Sequence, residues 1–305
     1  MILKNLAKEV KLDYLGKSVN RSIEVKFQNK ISKSKIYISK KTGTLFHSPT
    51  KNSDTSVSVW TKKIYSKKID TNKLKYTSNN PIMRSRHYYS AIFINNHIKK
   101  KNIKFCDYGT GEGNFAKELL RVNNKISFSF SEHSQRLFNL TKRIVKLNSN
   151  RKFYCHNGTI ESTITNKKFN NFDCASLLWT LCNCVDPLTV LDVIHKSLKK
   201  NGLLLVAESS RVLVPYKKPI YNFFVSKYDT NNSHPWFFSY NSLSNLLEIS
   251  GFRIISNNRY YDENDLVIVA KKIEKSSHKP KIKIDEYKKV LKFLMEWEKF
   301  SYKYK

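Results

Sequence analysis

Three of the chain's eight glycines fall within one pentapeptide, Gly109-Thr110-Gly111-Glu112-Gly113. Glycine tolerates positive φ and lets a ligand come close to the backbone, so this crowding in a glycine-poor chain marks a tight, ligand-facing turn. Two acids stand in register with it. Asp107 lies two positions before the first glycine, where a carboxylate can face a cationic ligand. Glu132 falls 19 residues after Gly113 (132 − 113) and closes the run Ile126-Ser127-Phe128-Ser129-Phe130. An acid ending a strand at that distance can accept both hydroxyls of a ribose.

Those residues need a strand, a turn and a helix to hold them. Ile103-Lys104-Phe105-Cys106-Asp107-Tyr108 is the strand, and Asn114 to Leu120 follows at helical spacing. Together they read as the first βα unit of a nucleotide-binding sheet. The spacing is G-x-G-x-G, whereas pyrophosphate binders favour G-x-G-x-x-G. With the two acids, this favours S-adenosylmethionine over a dinucleotide. Downstream, Leu137, Leu140, Ile144 and Leu147 predict a second crossover helix. Phe153-Tyr154-Cys155 predicts a short third strand, leading to His156-Asn157-Gly158-Thr159-Ile160. Phe172 to Leu178 predicts a strand buried on both faces. Leu188, Leu191, Val193, Ile194 and Leu198 predict a helix closed by Lys199-Lys200-Asn201-Gly202, with Leu203 to Ala207 as the fifth strand. Strict alternation of strand and helix makes the fold α/β: a Rossmann-like, mainly parallel sheet with helices on both faces.

The segment 105–113 resembles motif I of class I S-adenosylmethionine-dependent methyltransferases, and 128–134, with Glu132 as its acid, resembles their second motif. The stretch 172–187 is similar to their fourth strand and following loop. Leu198 to Val206 is similar to the L-k-p-G-G-x-l-l-v lead into the fifth strand. His234-Pro235-Trp236-Phe237-Phe238-Ser239, with Leu243, Leu246, Leu247, Gly251 and Phe252, resembles the stretch before the last strands. The resemblance covers roughly residues 84–272. One departure stands out: relatives often carry a Glu-His pair after the fourth strand, and here Cys182-Asn183 occupies that place.

The resemblance implies methyl transfer by in-line displacement at a sulfonium, with alignment carrying much of the rate. It places Asp107, Gly109, Thr110, Gly111 and Gly113 around the methionine portion of the cofactor, with Glu132 on the ribose and His133 beside it. Gly158, Thr159 and Ile160 would edge the adenine, and Trp179 with Thr180 would line the cleft. His234 is the first candidate for a base, since a near-neutral side chain suits proton removal. A surface or capping role for His234 is the alternative, with His133, His156, Tyr240 and Glu208 in reserve. Arg84 or Arg86 could pair with the cofactor carboxylate or lie on the surface.

The net charge of +32 raises a nucleic-acid hypothesis. Only 10 of the 56 basic residues are arginine, however, and specific phosphate and base recognition leans on arginine's planar fork. Lysine, Asn, Ile, Phe and Tyr share A/T-rich codons, so genome bias accounts for much of the composition. The D/N-P-P-Y/F/W motif of base amino-group methylation is missing from 178–181, and no cysteine follows a proline as C5 methylation requires. The expected acceptor is therefore a small molecule, with sugars or nucleotide sugars of surface polysaccharide synthesis first by family analogy. An RNA or protein methyltransferase using the basic surface is the alternative, and specific nucleic-acid binding is not expected. A degenerate, non-catalytic binding module is a third reading. No apolar run approaches the ~20 residues of a membrane span and no secretory stretch opens the chain, so a cytoplasmic location is expected. Five cysteines on or beside buried strands argue for reduced thiols, and Cys182-x-Cys184 alone makes no metal site.

Three segments are expected. Residues 1–83 form an N-terminal β-containing addition, in which Ile36-Tyr37-Ile38 and Thr44-Leu45-Phe46 bracket Lys41-Thr42-Gly43 as a hairpin. The run 38–49 is similar to the C-x-x-C-G-x-x-x-x-x-P knuckle preceding some sugar and small-molecule methyltransferases, with both cysteines gone, so this knuckle-like region should be metal-free. Residues 84–274 form the methyltransferase domain. Residues 275–305 carry an amphipathic helix with Tyr287, Val290, Leu291, Leu294 and Trp297 on one face. That face should pack on the core, with a dimer contact or membrane-surface helix as alternatives.

Overall fold

A computed structural model describes residues 7–11, 21–25, 35–48, 81–209, 212–214, 220, 235–258, 265–274, 279–284 and 286–303. Its centre is a seven-stranded sheet in the order β11-β12-β9-β8-β5-β6-β7. The strands are β5 (Ile103–Tyr108), β6 (Ile126–Glu132), β7 (Cys155–Asn157), β8 (Phe172–Leu178), β9 (Leu198–Glu208), β11 (Phe252–Asn257) and β12 (Leu266–Lys272). The pairs from β7 through β9 are parallel, while β12 and β11 run antiparallel at one edge. Chain order reverses direction across the sheet between β5 and β8. The crevice above the carboxyl ends of those two strands is where such sheets bind ligands.

Helices cover both faces, as alternation along the strands requires. On one side, α1 (Pro81–Asn95), α2 (Asn114–Val122) and α3 (Gln135–Asn148) pack on Phe105, Phe128, Phe130, Cys174 and Leu205. Phe105 and Phe128 stack there with centroids 5.8 Å apart, a contact worth about 0.5–1.5 kcal/mol beyond burial. On the other side, α4 (Pro187–Ser197) and α5 (Tyr240–Ile249) pack on Cys106, Tyr108, Ala175, Leu177, Leu204 and Val206. Asp186 caps α4 by accepting from the amides of Leu188 and Thr189, with Pro187 at the first helical position.

Several boundaries differ from expectation. The third strand sits two residues later, at Cys155–Asn157, because Cys155, His156 and Asn157 pair with Phe130, Ser131 and Glu132. Leu147 is 62% exposed at the end of α3, outside the stripe formed by Leu137, Phe138, Leu140, Thr141, Ile144 and Val145. The Lys199-Lys200-Asn201-Gly202 run is not a helix C-terminus. Helix α4 stops at Ser197, Leu198 already pairs with Phe172, and the next paired residues are Cys174 and Leu203, so 199–202 form a bulge. Lys199 is held there by Asp173 at 2.9 Å, with Lys100 on the same oxygen at 3.1 Å.

A second sheet, β1-β2-β3-β4-β10, is built from β1 (Ala7–Lys11), β2 (Arg21–Val25), β3 (Lys35–Ser39), β4 (Leu45–Ser48) and β10 (Trp236–Phe237). The expected hairpin is therefore present, and it is not self-contained. Strand β10, from within 84–274, pairs with β4, and α6 (Glu286–Lys303) covers the sheet from the C-terminal segment. Period-two alternation explains this. Tyr37, Phe46 and Trp236 face the main core, while Ile36, Ile38, Leu45 and Phe237 face Val290, Phe293, Leu294 and Trp297 of α6. The buried Glu286 locks the layers together by accepting from Ser239 Oγ at 2.9 Å and Asn241 Nδ2 at 2.7 Å.

Candidate functional site

Strand β5 ends under the crevice, and the glycine turn begins there. Gly109, Gly111 and Gly113 adopt φ of 70°, 58° and 75°, the left-handed region that costs other residues roughly 1–2 kcal/mol. Two of them are packed shut. A Cβ at Gly109 would lie 2.6 Å from Thr180 Cγ2, and one at Gly113 would lie 2.8 Å from Thr141 Oγ1. A Cβ at Gly111 would meet nothing within 4 Å. Its amide and carbonyl are both fixed, the amide donating to Glu132 Oε2 at 2.8 Å and the carbonyl accepting from Thr141 Oγ1 at 3.0 Å. The turn is thus held rigid from behind and open in front.

Glu132, 7% exposed, closes β6 beside that opening. Its other oxygen accepts from the Ser134 amide at 2.8 Å. Burial pushes its carboxyl up, and the amides of Ser134 and Gly111 offset part of the rise. Each carboxylate oxygen retains capacity for a further donor. Asp107 is deeper, at 2% exposure. The β5–β8 register sets Ser176 opposite it, and Ser176 Oγ donates to Asp107 Oδ1 at 2.6 Å. Burial nevertheless raises Asp107 to about 7. The Thr110 hydroxyl faces the same carboxyl and pulls it down slightly, but Thr110 Oγ1 makes no hydrogen bond of good geometry.

The third wall follows β7. Gly158 donates its amide to Glu132 O at 3.2 Å, and Asn157 Nδ2 donates to the same carbonyl at 2.9 Å. Thr159 accepts from Ser162 at both its hydroxyl and its carbonyl, starting the 3-10 turn Glu161–Thr165 behind the buried Ile160. His156 Nε2 lies 2.8 Å from Ser162 Oγ, and burial lowers its pKa. His133 is exposed.

The fourth wall follows β8. Trp179 sits at φ 51°, strained for a residue with a side chain. Its indole donates to Asp265 Oδ1 at 3.0 Å, the Arg86 guanidinium stacks 3.9 Å above its ring, and His87 meets its edge. Arg86 is also 3.7 Å from Asp265, so helix α1 is tied to the residue that leads into β12. Burial lowers Arg86 more than Asp265 raises it. Arg84 is exposed on the same helix.

The structure therefore brings Asp107, Gly109, Thr110, Gly111, Gly113, Glu132, Gly158, Thr159, Ile160 and Trp179 to the carboxyl edges of four neighbouring strands, β7, β6, β5 and β8, with His133 on the rim. His234 lies outside the described residues. Tyr240 begins α5, its hydroxyl accepting from Asn257 Nδ2 at 3.3 Å. Ser176, Thr141 and Asp265 complete the site and were not anticipated; their signals are long-range pairings that local spacing does not carry. A nucleoside carrying a cation fits this set. The free face of Gly111, the spare acceptor capacity of Glu132 and the buried Asp107 carboxyl, which no cation pairs among the described residues, are all features such a ligand would complete. Among the described residues, no group of three or more His, Cys, Asp or Glu is arranged to hold a metal. No helix there is long and apolar enough to cross a membrane.

A family model described as a methyltransferase domain matches residues 80–257. The fold is similar to that of the [4+2]-cyclase SpnF (TM-score 0.51, 13% identity, 71% of this chain and 92% of that one). It is similar also to magnesium protoporphyrin IX methyltransferase from Synechocystis PCC 6803, solved with bound S-adenosylhomocysteine (TM-score 0.50, 11% identity, 72% and 96%). Against the pyocyanin biosynthetic protein PhzM the match spans 62% of this chain and 55% of that one, at 14% identity and TM-score 0.49. No curated protein sequence matches the chain.

Proposed function

The chain belongs to the methyltransferase-domain family, class I enzymes that use S-adenosylmethionine, and from that premise we propose that its acceptor is a small molecule. When bound, the cofactor supplies an electrophilic sulfonium methyl. The observation that supports the cofactor site is the turn packed shut at Gly109 and Gly113 and open at Gly111, flanked by two buried carboxylates. Glu132 would hold the ribose hydroxyls, with His133 beside it, and Gly109, Thr110, Gly111 and Gly113 would carry the methionine portion. Asp107 would balance the cofactor's positive charge. Gly158, Thr159 and Ile160 would border the adenine. Trp179 would wall the acceptor side, and His234 is our candidate for removing the acceptor's proton.

A sugar or nucleotide sugar of surface polysaccharide synthesis is the first acceptor class, on family analogy. We divide the chain at 84 and 274, with the N-terminal hairpin layer and α6 as additions to the catalytic unit. The five free thiols are in keeping with a reducing, cytoplasmic setting. The net charge of +32 favours a second reading, an RNA or protein acceptor. Transfer of labelled methyl into host extract, fractionated by size and by nuclease and protease sensitivity, separates the two. Label in the small-molecule or glycan fraction supports the proposal, and nuclease- or protease-sensitive label replaces it with the second reading.

A further inference from the structure

We propose that Glu208 is a positioning residue, capping the turn after β8 and thereby holding Thr180 against the glycine turn. The inference rests on the cofactor site proposed above. Strand β8 ends at Leu178, and the chain turns through Trp179 and Thr180 into the short 3-10 turn Leu181–Asn183. The first amides of any helical turn lack partners within it. No side chain caps this turn from Thr180. The acceptor comes instead from the neighbouring strand. Glu208, the last residue of β9, takes the Cys182 amide on Oε1 at 3.2 Å, and the amides of Leu181 and Thr180 also bear on its carboxyl.

The residue is 1% exposed, and its Oε2 has no hydrogen-bond partner among the described residues. Burying a carboxylate is costly, and burial pushes Glu208 up to about 7 while the Cys182 thiol and these amides pull it down. Packing alone would be served by an apolar side chain of the same shape. What Leu or Met could not do is accept the amides. Positions 182 and 183, where the resemblance would place Glu-His, hold Cys and Asn here, so the acid at this turn is supplied across the sheet.

What Glu208 holds is a wall of the site. Thr180 Oγ1 shares its proton between Leu178 O at 2.9 Å and Gly109 O at 3.3 Å. Its methyl fills the space that a side chain at position 109 would need. If the turn loosens, Thr180 withdraws and the support behind Gly109 goes with it.

The test compares Glu208→Leu, which keeps shape without acceptors, with Glu208→Gln, which keeps a carbonyl oxygen. Binding of S-adenosylhomocysteine is measured by calorimetry and the Thr180, Leu181 and Cys182 amides by hydrogen exchange. The proposal expects Glu208→Leu to weaken binding at least about tenfold, a loss of about 1.4 kcal/mol, with faster exchange at those amides. Glu208→Gln should restore both to within about threefold. Should Glu208→Leu not fold, Glu208→Asp replaces it: the carboxylate is one methylene short, so Asp should bind more weakly than Gln. Unchanged affinity in Glu208→Leu, or Asp matching wild type while Gln is weak, overturns the proposal. Wild-type protein that binds no S-adenosylhomocysteine defeats the cofactor reading instead, and the amide exchange still reports on the cap.

Discussion

The two glycines at 109 and 111 should respond differently to the same substitution. Both occupy the left-handed region, so Ala at either costs about 1–2 kcal/mol in backbone conformation. Gly111→Ala adds nothing else to the free protein, because no atom lies within 4 Å of its Cβ. Its melting temperature should fall by about 2–8 °C, taking about 2–4 °C per kcal/mol for a chain of this size. Gly109→Ala adds overlap with Thr180 at 2.6 and 2.9 Å, a further penalty of about 1–3 kcal/mol. It should melt lower still, and Thr180→Ala in the same chain should recover the overlap part. Ligand affinity should follow a different rule. The methyl added by Gly111→Ala points into the space assigned to the cofactor, so S-adenosylhomocysteine should bind at least about tenfold more weakly in a protein that remains folded. Calorimetry beside a thermal melt reads both quantities. Wild-type affinity in Gly111→Ala, or a larger melting loss there than in Gly109→Ala, would refute the geometry from which these numbers come.

Asp107 should couple binding to pH. Its folded pKa of about 7 lies above the unfolded carboxylate range, so it keeps a proton that the unfolded chain has already lost. Its contribution to stability therefore falls as pH rises from about 4 to 7, and Asp107→Asn should flatten part of that slope in melts. A bound cation favours the charged form, so affinity for S-adenosylmethionine should rise from about pH 6 to about pH 8, across the Asp107 value, in wild type and stay level in Asp107→Asn. Trp297, 3% exposed on the small sheet, should cost about 3–5 kcal/mol when replaced by Ala. Removing α6 altogether should aggregate or unfold the protein, since Ile36, Ile38 and Leu45 lose their cover; a monodisperse, folded truncation seen by light scattering would count against it. His234→Ala should lower methyl transfer into extract while leaving cofactor affinity near wild type; equal transfer would remove His234 from the mechanism.

The parts of this fold legible in the sequence are those written locally. A glycine crowd between an apolar run and a helical spacing reads as strand-turn-helix, and the acid at Glu132 stands one βα unit further on. The hairpin around Gly43 is of the same kind. What the sequence hides is set by register between distant strands. Ser176 neutralises nothing until β8 aligns it with Asp107, and Thr141 supports the turn only because α3 crosses behind it. The lysines at 199 and 200 resemble a helix ending, yet Leu198 pairs with Phe172 first and Asp173 claims Lys199. Trp236 reads only as part of the stretch before the last strands, and its pairing partner, Phe46, lies 190 residues away (236 − 46). Glu208 likewise looks like an acid closing a strand, and only the neighbouring turn reveals what it accepts.

The most direct test of the account is calorimetry of S-adenosylhomocysteine and S-adenosylmethionine on wild type and Glu132→Ala. Wild type should bind at one site per chain, and the variant should lose at least about tenfold in affinity, because Glu132 holds Gly111 and is the residue we propose for the ribose. No binding heat in wild type, or equal affinity in the two proteins, would contradict it.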